Sequence, residues 1–111
     1  MRTLISTLPN LVAEVSAALT TESRAALVQQ LSSACIERCT YDETVDAGYI
    51  YLVRPAPSPH FAKLAAPVAE TIAFFGEHGF NVDVDHDGNL FGIELLSRSD
   101  VIARLRENNA L

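Results

Sequence analysis

The chain is poor in positive charge: eight Lys and Arg stand against fourteen Asp and Glu, a net charge of −6 over 111 residues. A nucleic-acid surface needs clustered cations that displace phosphate counterions. The two arginines nearest each other, Arg104 and Arg106, sit near the C-terminus beside Glu107, so no nucleic-acid binding by this chain alone is expected. Long apolar runs are missing too. No segment reaches the roughly 18 residues a membrane-spanning helix needs, and no membrane partner is expected. In the opening Met1–Ser6 segment one positive charge is present, but Pro9, Asn10 and Glu14 interrupt any signal-peptide core. A cytoplasmic protein is the expectation. Only two cysteines occur, Cys35 and Cys39. Their spacing of four would place them on one helical face, as small buried hydrophobes in poor disulfide geometry. The five glycines fall at turns or singly in strands, which leaves no phosphate-cradling glycine loop.

What remains is ordinary globular material, 49% hydrophobic and 20% charged, in a length that suits one domain. Leu8, Leu11, Val12, Val15, Ala18 and Leu19 recur at helical steps, with Pro9 tolerable in the first turn. Thr20-Thr21 interrupts the stripe and can cap a second helix carrying Leu27, Val28, Leu31, Ala34 and Cys35. These two helices read as a hairpin whose stripes must bury against each other, a sheet or a second chain. After Glu37 the period changes to two. Cys39, Tyr41, Ala47, Tyr49, Tyr51 and Val53 alternate around the turn residues Asp42-Glu43-Thr44, predicting strands over 37–42 and 47–53. Tyr49 and Tyr51 read as a packed sheet face rather than a stacking platform.

Pro55, Pro57 and Pro59 cannot serve a ladder, so an exposed loop is predicted to about Phe61, a plausible contact surface. The apolar run from Leu64 to Ala73 contains Pro67, and 64–75 is open to helix or strand; 70–75 is taken as a strand and 76–79 as a turn. Phe80, Val82 and Val84 then alternate up to Asp87-Gly88, a strong hairpin signal, with Phe91, Ile93 and Leu95 on the return. A two-residue turn would pair Val84 with Phe91 and Val82 with Ile93. Ser97 or Ser99 can cap a last short helix bearing Val101, Ile102 and Leu105. The expected architecture is therefore α+β over 1–111: a helical extension in 1–36, then a β-rich core in 37–105. That core is a small antiparallel β-meander of four or five strands with a short C-terminal helix.

Two separated segments, Tyr41-Asp42 through Ala47-Gly48-Tyr49-Ile50-Tyr51-Leu52 and Phe80 through Leu96, resemble the bacterial and archaeal family known as domain of unknown function 2283. Its pattern is a Tyr-Asp strand, an acidic turn, an Ala-x-Tyr-Ile-x-Leu strand, then Val-x-Val-Asp-x-Asp-x-x-Gly and Gly-Ile-Glu-Ile-Leu. The resemblance covers roughly Glu37 to Leu105. Ala69-Glu70-Thr71 matches a family strand before the last hairpin, which favours strand for 70–75. Gly48 departs from a usually bulkier residue, the loop and 60–69 are longer, and the N-terminal helices lie outside the pattern. The family has no established activity. The resemblance implies an antitoxin or immunity role, because family genes often adjoin small toxin-like nuclease genes.

The sharpest motif is Asp83-x-Asp85-x-Asp87-Gly88 with Glu94, which satisfies the calcium-loop pattern D-x-D-x-D-G-x5-E. A hairpin accounts for the same residues, since alternation demands polar side chains at Asp83, Asp85 and Glu94, and Asp-Gly is a turn. Phe91 also stands where such a loop carries a polar residue, and Val82 and Val84 favour strand over the flanking helix. His60, His78 and His86 fall in or beside loops. A zinc site from Cys35, Cys39 and a histidine, a Cys39 nucleophile, and a carboxylate pair of Glu94 with Asp83 or Asp85 are weaker candidates. The leading expectation is a non-catalytic protein-binding module without a cofactor, an acidic partner of a small basic toxin, docking through the amphipathic helices and the proline loop. A homodimer covering leftover apolar surface is a further expectation. A calcium- or metal-binding protein using Asp83, Asp85, Asp87 and Glu94 is the alternative, with an enzyme third.

Overall fold

The structure is a computed structural model that describes residues 2–64 and 66–111. Met1, in the opening segment, and Ala65, in the apolar run of 64–73, lie outside the described residues. The fold is α+β, as the residue patterns predict. A helical turn α1 (Leu4–Thr7) leads into α2 (Pro9–Thr21), where Pro9 takes the first helical position. There its missing N–H costs nothing and its fixed φ suits the helix. Leu11, Val12, Val15, Ala18 and Leu19 form the buried stripe of α2. Ser23, at φ 58°, reverses the chain into α3 (Ala25–Ser33), whose buried residues are Leu27 and Leu31.

Two capping expectations are corrected here. Thr20 and Thr21 do not cap α3; their hydroxyls donate back to the Ser16 and Ala18 carbonyls inside α2, while Arg24 stands at the α3 N-cap without a side-chain bond. Arg98 occupies the corresponding place before α5 (Ser99–Glu107), rather than Ser97 or Ser99. The helix also ends before the cysteines. Ala34 is already extended, Cys35 bridges Thr3, and Cys39 lies in a strand, so the two thiols do not share a helical face.

The strands are β1 (Ile36–Asp42), β2 (Ala47–Leu52), β3 (Val68–Ala73), β4 (Phe80–Asp85) and β5 (Leu90–Leu96), all antiparallel in the order β1-β2-β5-β4-β3. The last three form a continuous meander that joins the first hairpin through β5. The proline-bearing connection after β2 leads from the interior of the sheet to β3 at its far edge. The strand placed at 70–75 is thus Val68–Ala73. The 76–79 turn is a single helical turn, α4 (Phe75–His78), that ends at Gly79 in the left-handed region with φ 72°. Glycine suits that conformation, and a Cβ at Gly79 would lie 2.8 Å from the Leu96 carbonyl.

All of the helical stripes meet one side of the sheet. Leu11, Val15, Leu19, Leu27, Leu31 and Leu105 share a single buried cluster with Ile50, Leu52, Phe80, Val82, Ile93 and Leu95. Each fully buried side chain of this size contributes about 1.5–3 kcal/mol before chain entropy is counted. The amphipathic helices, expected above as a docking surface, therefore spend their apolar faces on the chain's own sheet. Arg98 binds the helical elements to one another, donating to Glu14 of α2, to Asp100 of α5 and to the His78 carbonyl of α4. The bond and charge of Asp100 raise the guanidinium's pKa still further, and in return Arg98 holds the Asp100 carboxyl below its usual range.

Candidate functional site

Among the described residues no helix packs on the other side of the sheet, whose side chains include three aromatics. In β2 it is Ile50 and Leu52 that are buried, while Tyr49 and Tyr51 point the other way and are half-buried. The alternation itself is as read, but the packed face belongs to the even-numbered residues, because Gly48, Ile50 and Leu52 are the set turned toward the helices. Gly48 is close enough to the helix that a Cβ there would lie 2.9 Å from Ile102 Cδ1. A side chain at that position would first require the end of Ile102 to turn aside.

Phe91 joins the tyrosines through a β-bulge. Val82 pairs with Ile93 as predicted, but Val84 pairs with Leu90 rather than with Phe91, and Asp83 with Gly92. The extra residue reverses the alternation, so Leu90 enters the core and Phe91 turns outward. The Tyr49 and Tyr51 rings lie 4.5 Å apart, and Phe91 sits edge-on at 6.4 Å and 6.1 Å from them. Two arginines stack on the cluster. Arg38 Cζ is 3.7 Å from the Tyr51 centroid and Arg54 Cζ is 4.7 Å from that of Phe91.

Polar side chains complete the face. Asp83 accepts from the Tyr49 hydroxyl and, at 2.6 Å, from the Thr71 hydroxyl; Glu94 accepts from the Asn81 amide at 3.0 Å. Burial first, and then the bond to Asp83, raise the Tyr49 phenol well above its ordinary pKa. It is a fixed hydrogen-bond donor, not a base. Among the described residues neither Asp83 nor Glu94 forms an ion pair.

The four residues of the calcium pattern are therefore placed apart. Asp83 and Glu94 lie on the helix-free face with neutral donors. Asp85 is 4% exposed and organises the β4–β5 turn: one oxygen accepts from the Asp87 and Asn89 amides, both at 2.9 Å, and the other from Arg54 at 3.0 Å. Asp87 faces the proline loop and accepts from the Ser58 amide at 3.0 Å, a contact that holds its carboxyl below the usual range. Gln30 of α3 clamps the same turn from the helical side, donating to the Gly88 carbonyl and accepting from the Leu90 amide. Among the described residues no group of three or more His, Cys, Asp or Glu side chains is placed to hold a metal ion. Addition of calcium to about 1 mM, above the range of sensor sites, is expected to leave the thermal midpoint unchanged in scanning fluorimetry. A rise of several degrees would show that the turn reorganises around the ion.

The remaining candidates are dispersed. His86 stacks on Phe61 and bonds the Ala66 carbonyl at the loop, His60 neighbours Phe61, and His78 stacks on Phe80 at the opposite end of β4. Cys39 is half-buried in β1, and burial pushes its thiol up to about 11. That is the reverse of nucleophile activation. In a Cys35→Ser background, Cys39 is expected to react with a colorimetric disulfide reagent at pH 8 more than about tenfold slower than after unfolding in urea, since so little thiolate is present. Equal rates would contradict this burial. The aromatic cluster and its bulge do not show in the sequence, because strict alternation places Phe91 on the core face with Ile93 and Leu95. The signal that could have found them is Gly92, a residue without a side chain directly across from Tyr51.

The family model described as "Protein of unknown function (DUF2283)" matches residues 38–99. No curated protein and no solved structure matches the chain.

Proposed function

The chain belongs to the DUF2283 family of proteins of unknown function, and on that premise we propose that it is a protein-binding module, the acidic partner of a small basic protein in the manner of an antitoxin or immunity protein. The observation that carries this reading is the helix-free sheet face, where Tyr49, Tyr51 and Phe91 stand together beside two carboxylates without ion-pair partners. Apolar area rimmed by polar groups marks an interaction surface, and aromatics anchor such surfaces. The net charge of −6 selects for a basic partner and speeds its approach. The raised Cys39 thiol and the raised Tyr49 phenol supply neither a nucleophile nor a base for the competing enzymatic reading.

Native mass spectrometry of the tagged protein drawn from its own host tests this. The expected result is a complex carrying one small basic protein, lost in the Tyr51→Ser/Phe91→Ser variant while the thermal midpoint stays within a few degrees. A wild-type chain that carries no other protein would end the proposal.

A further inference from the structure

The partner's contact chemistry can be narrowed, on the basis of that binding-module reading. Two of the three rings on the helix-free face already carry a guanidinium of the chain itself, Arg38 on Tyr51 and Arg54 on Phe91. Among the described residues no guanidinium lies over Tyr49. Yet Tyr49 is the ring with carboxylates on both sides. Its hydroxyl donates to Asp83, and it lies directly across the β2–β5 ladder from Glu94.

Both carboxylates keep unused acceptor capacity. Their donors are all neutral, namely the Tyr49 and Thr71 hydroxyls and the Asn81 amide, so the negative charge of each stays unbalanced. A planar guanidinium satisfies such a place best, because it stacks on a ring and donates in its own plane to carboxylates at the edge. Lysine offers a point charge without the stacking plane. A second copy of the chain would bring another −6 against this face, which opposes self-stacking. We propose that the helix-free face docks an arginine-bearing segment of a basic polypeptide, with the guanidinium over Tyr49 between Asp83 and Glu94.

The test is a titration of the ¹⁵N-labelled full chain with a capped octapeptide of alternating Arg and Thr, at about 0.1 M salt to suppress long-range attraction. Its Lys counterpart and two variants serve as comparisons. Asp83→Asn/Glu94→Gln removes the charge and keeps each side chain's shape and one acceptor oxygen, the amide NH2 of the first donating to whichever of the Tyr49 and Thr71 hydroxyls loses its acceptor. Glu43→Gln/Glu107→Gln removes the same charge from exposed sites paired with Arg106 and Arg104. Expected are amide shifts concentrated at Tyr49, Asp83, Gly92 and Glu94. Affinity should fall about tenfold in the first variant and less than about twofold in the second, with weaker binding of the Lys peptide.

Shifts spread over the helical carboxylates, equal losses in the two variants, or equal binding of the Lys peptide would overturn the proposal. So would concentration-dependent shifts of these same residues without peptide, which would assign the face to a second copy. The wild-type shift map decides the matter even if a variant unfolds. If Asp83→Asn/Glu94→Gln still carries from its host the basic protein that the wild type carries, this site is wrong while the binding-module reading stands. If the wild type carries none, both fall.

Discussion

Gly92→Ala is expected to destabilise the protein by about 3 kcal/mol, and Gly92→Val to leave little folded protein at room temperature. A Cβ at this position would lie 2.3 Å from Tyr49 Cε1, 2.7 Å from Tyr49 Cζ and 2.7 Å from the Ile50 carbonyl oxygen. The tyrosine ring could swing aside, at the cost of its bond to Asp83 and its packing on Tyr51. The carbonyl has no such freedom, since it belongs to the ladder that joins β2 to β5. Those are the strands through which the first hairpin and the three-stranded meander become one sheet. Relief of the contact therefore requires the two halves of the sheet to part locally. Urea unfolding followed by circular dichroism measures the loss. Gly76→Ala is the control, because a Cβ there meets nothing within 4 Å and the residue sits exposed in α4; its midpoint is expected to hold or rise slightly. An unchanged midpoint for Gly92→Ala would show that the Tyr49 ring does not lie over this glycine.

Much of this arrangement is legible in the residues, and the failures have physical causes. The helical stripes, the two hairpins and the terminal helix each carry a period that no alternative conformation shares. The turn residues Asp87-Gly88 fix where the second hairpin reverses. Orientation is harder. In β2, Tyr49 and Tyr51 are as apolar by count as Ile50 and Leu52, so alternation alone gives the strand without saying which face is covered. The tie is broken by Gly48, which faces Ile102 of α5, and that contact is a tertiary fact. The bulge at Phe91 is invisible for a related reason. Leu90 and Phe91 are adjacent hydrophobes, and only one of them can enter the core; the choice follows from Gln30 holding the Leu90 amide on the helical side. Residues 74–79 fail differently. A single helical turn carries too few residues for a period to show, and Phe75, 55% exposed, reads as buried in any hydropathy pattern. The candidate surface is thus half visible: the residue pattern singles out the carboxylates Asp83 and Glu94, while the aromatic face they border depends on the bulge at Phe91.

Asp85→Ala is the second large expected effect, a loss of about 3–5 kcal/mol, the cost typical of breaking one side of a buried charged pair. The carboxylate serves three donors at once, the Asp87 and Asn89 amides and the Arg54 guanidinium. Its removal leaves two turn amides without an acceptor and an arginine side chain, 21% exposed, without its counter-charge. Asp85→Asn keeps an acceptor for the amides but turns the remaining position into an NH2 donor toward Arg54, so roughly half the loss is expected. The pair can be isolated by a double-mutant cycle in urea. Arg54→Ala alone strands the Asp85 charge and uncovers Phe91, and the Asp85→Ala/Arg54→Ala protein is expected to lose about 1–3 kcal/mol less than the two single changes summed. Strict additivity would mean that Arg54 acts through Phe91 and the loop instead. Coupling of the expected sign would show that a turn satisfying a calcium pattern is ordered in part by a side-chain cation. Arg54, delivered by the first residues of the proline loop, already supplies the positive charge at Asp85, and Asp87 is drawn away to Ser58 by that same loop.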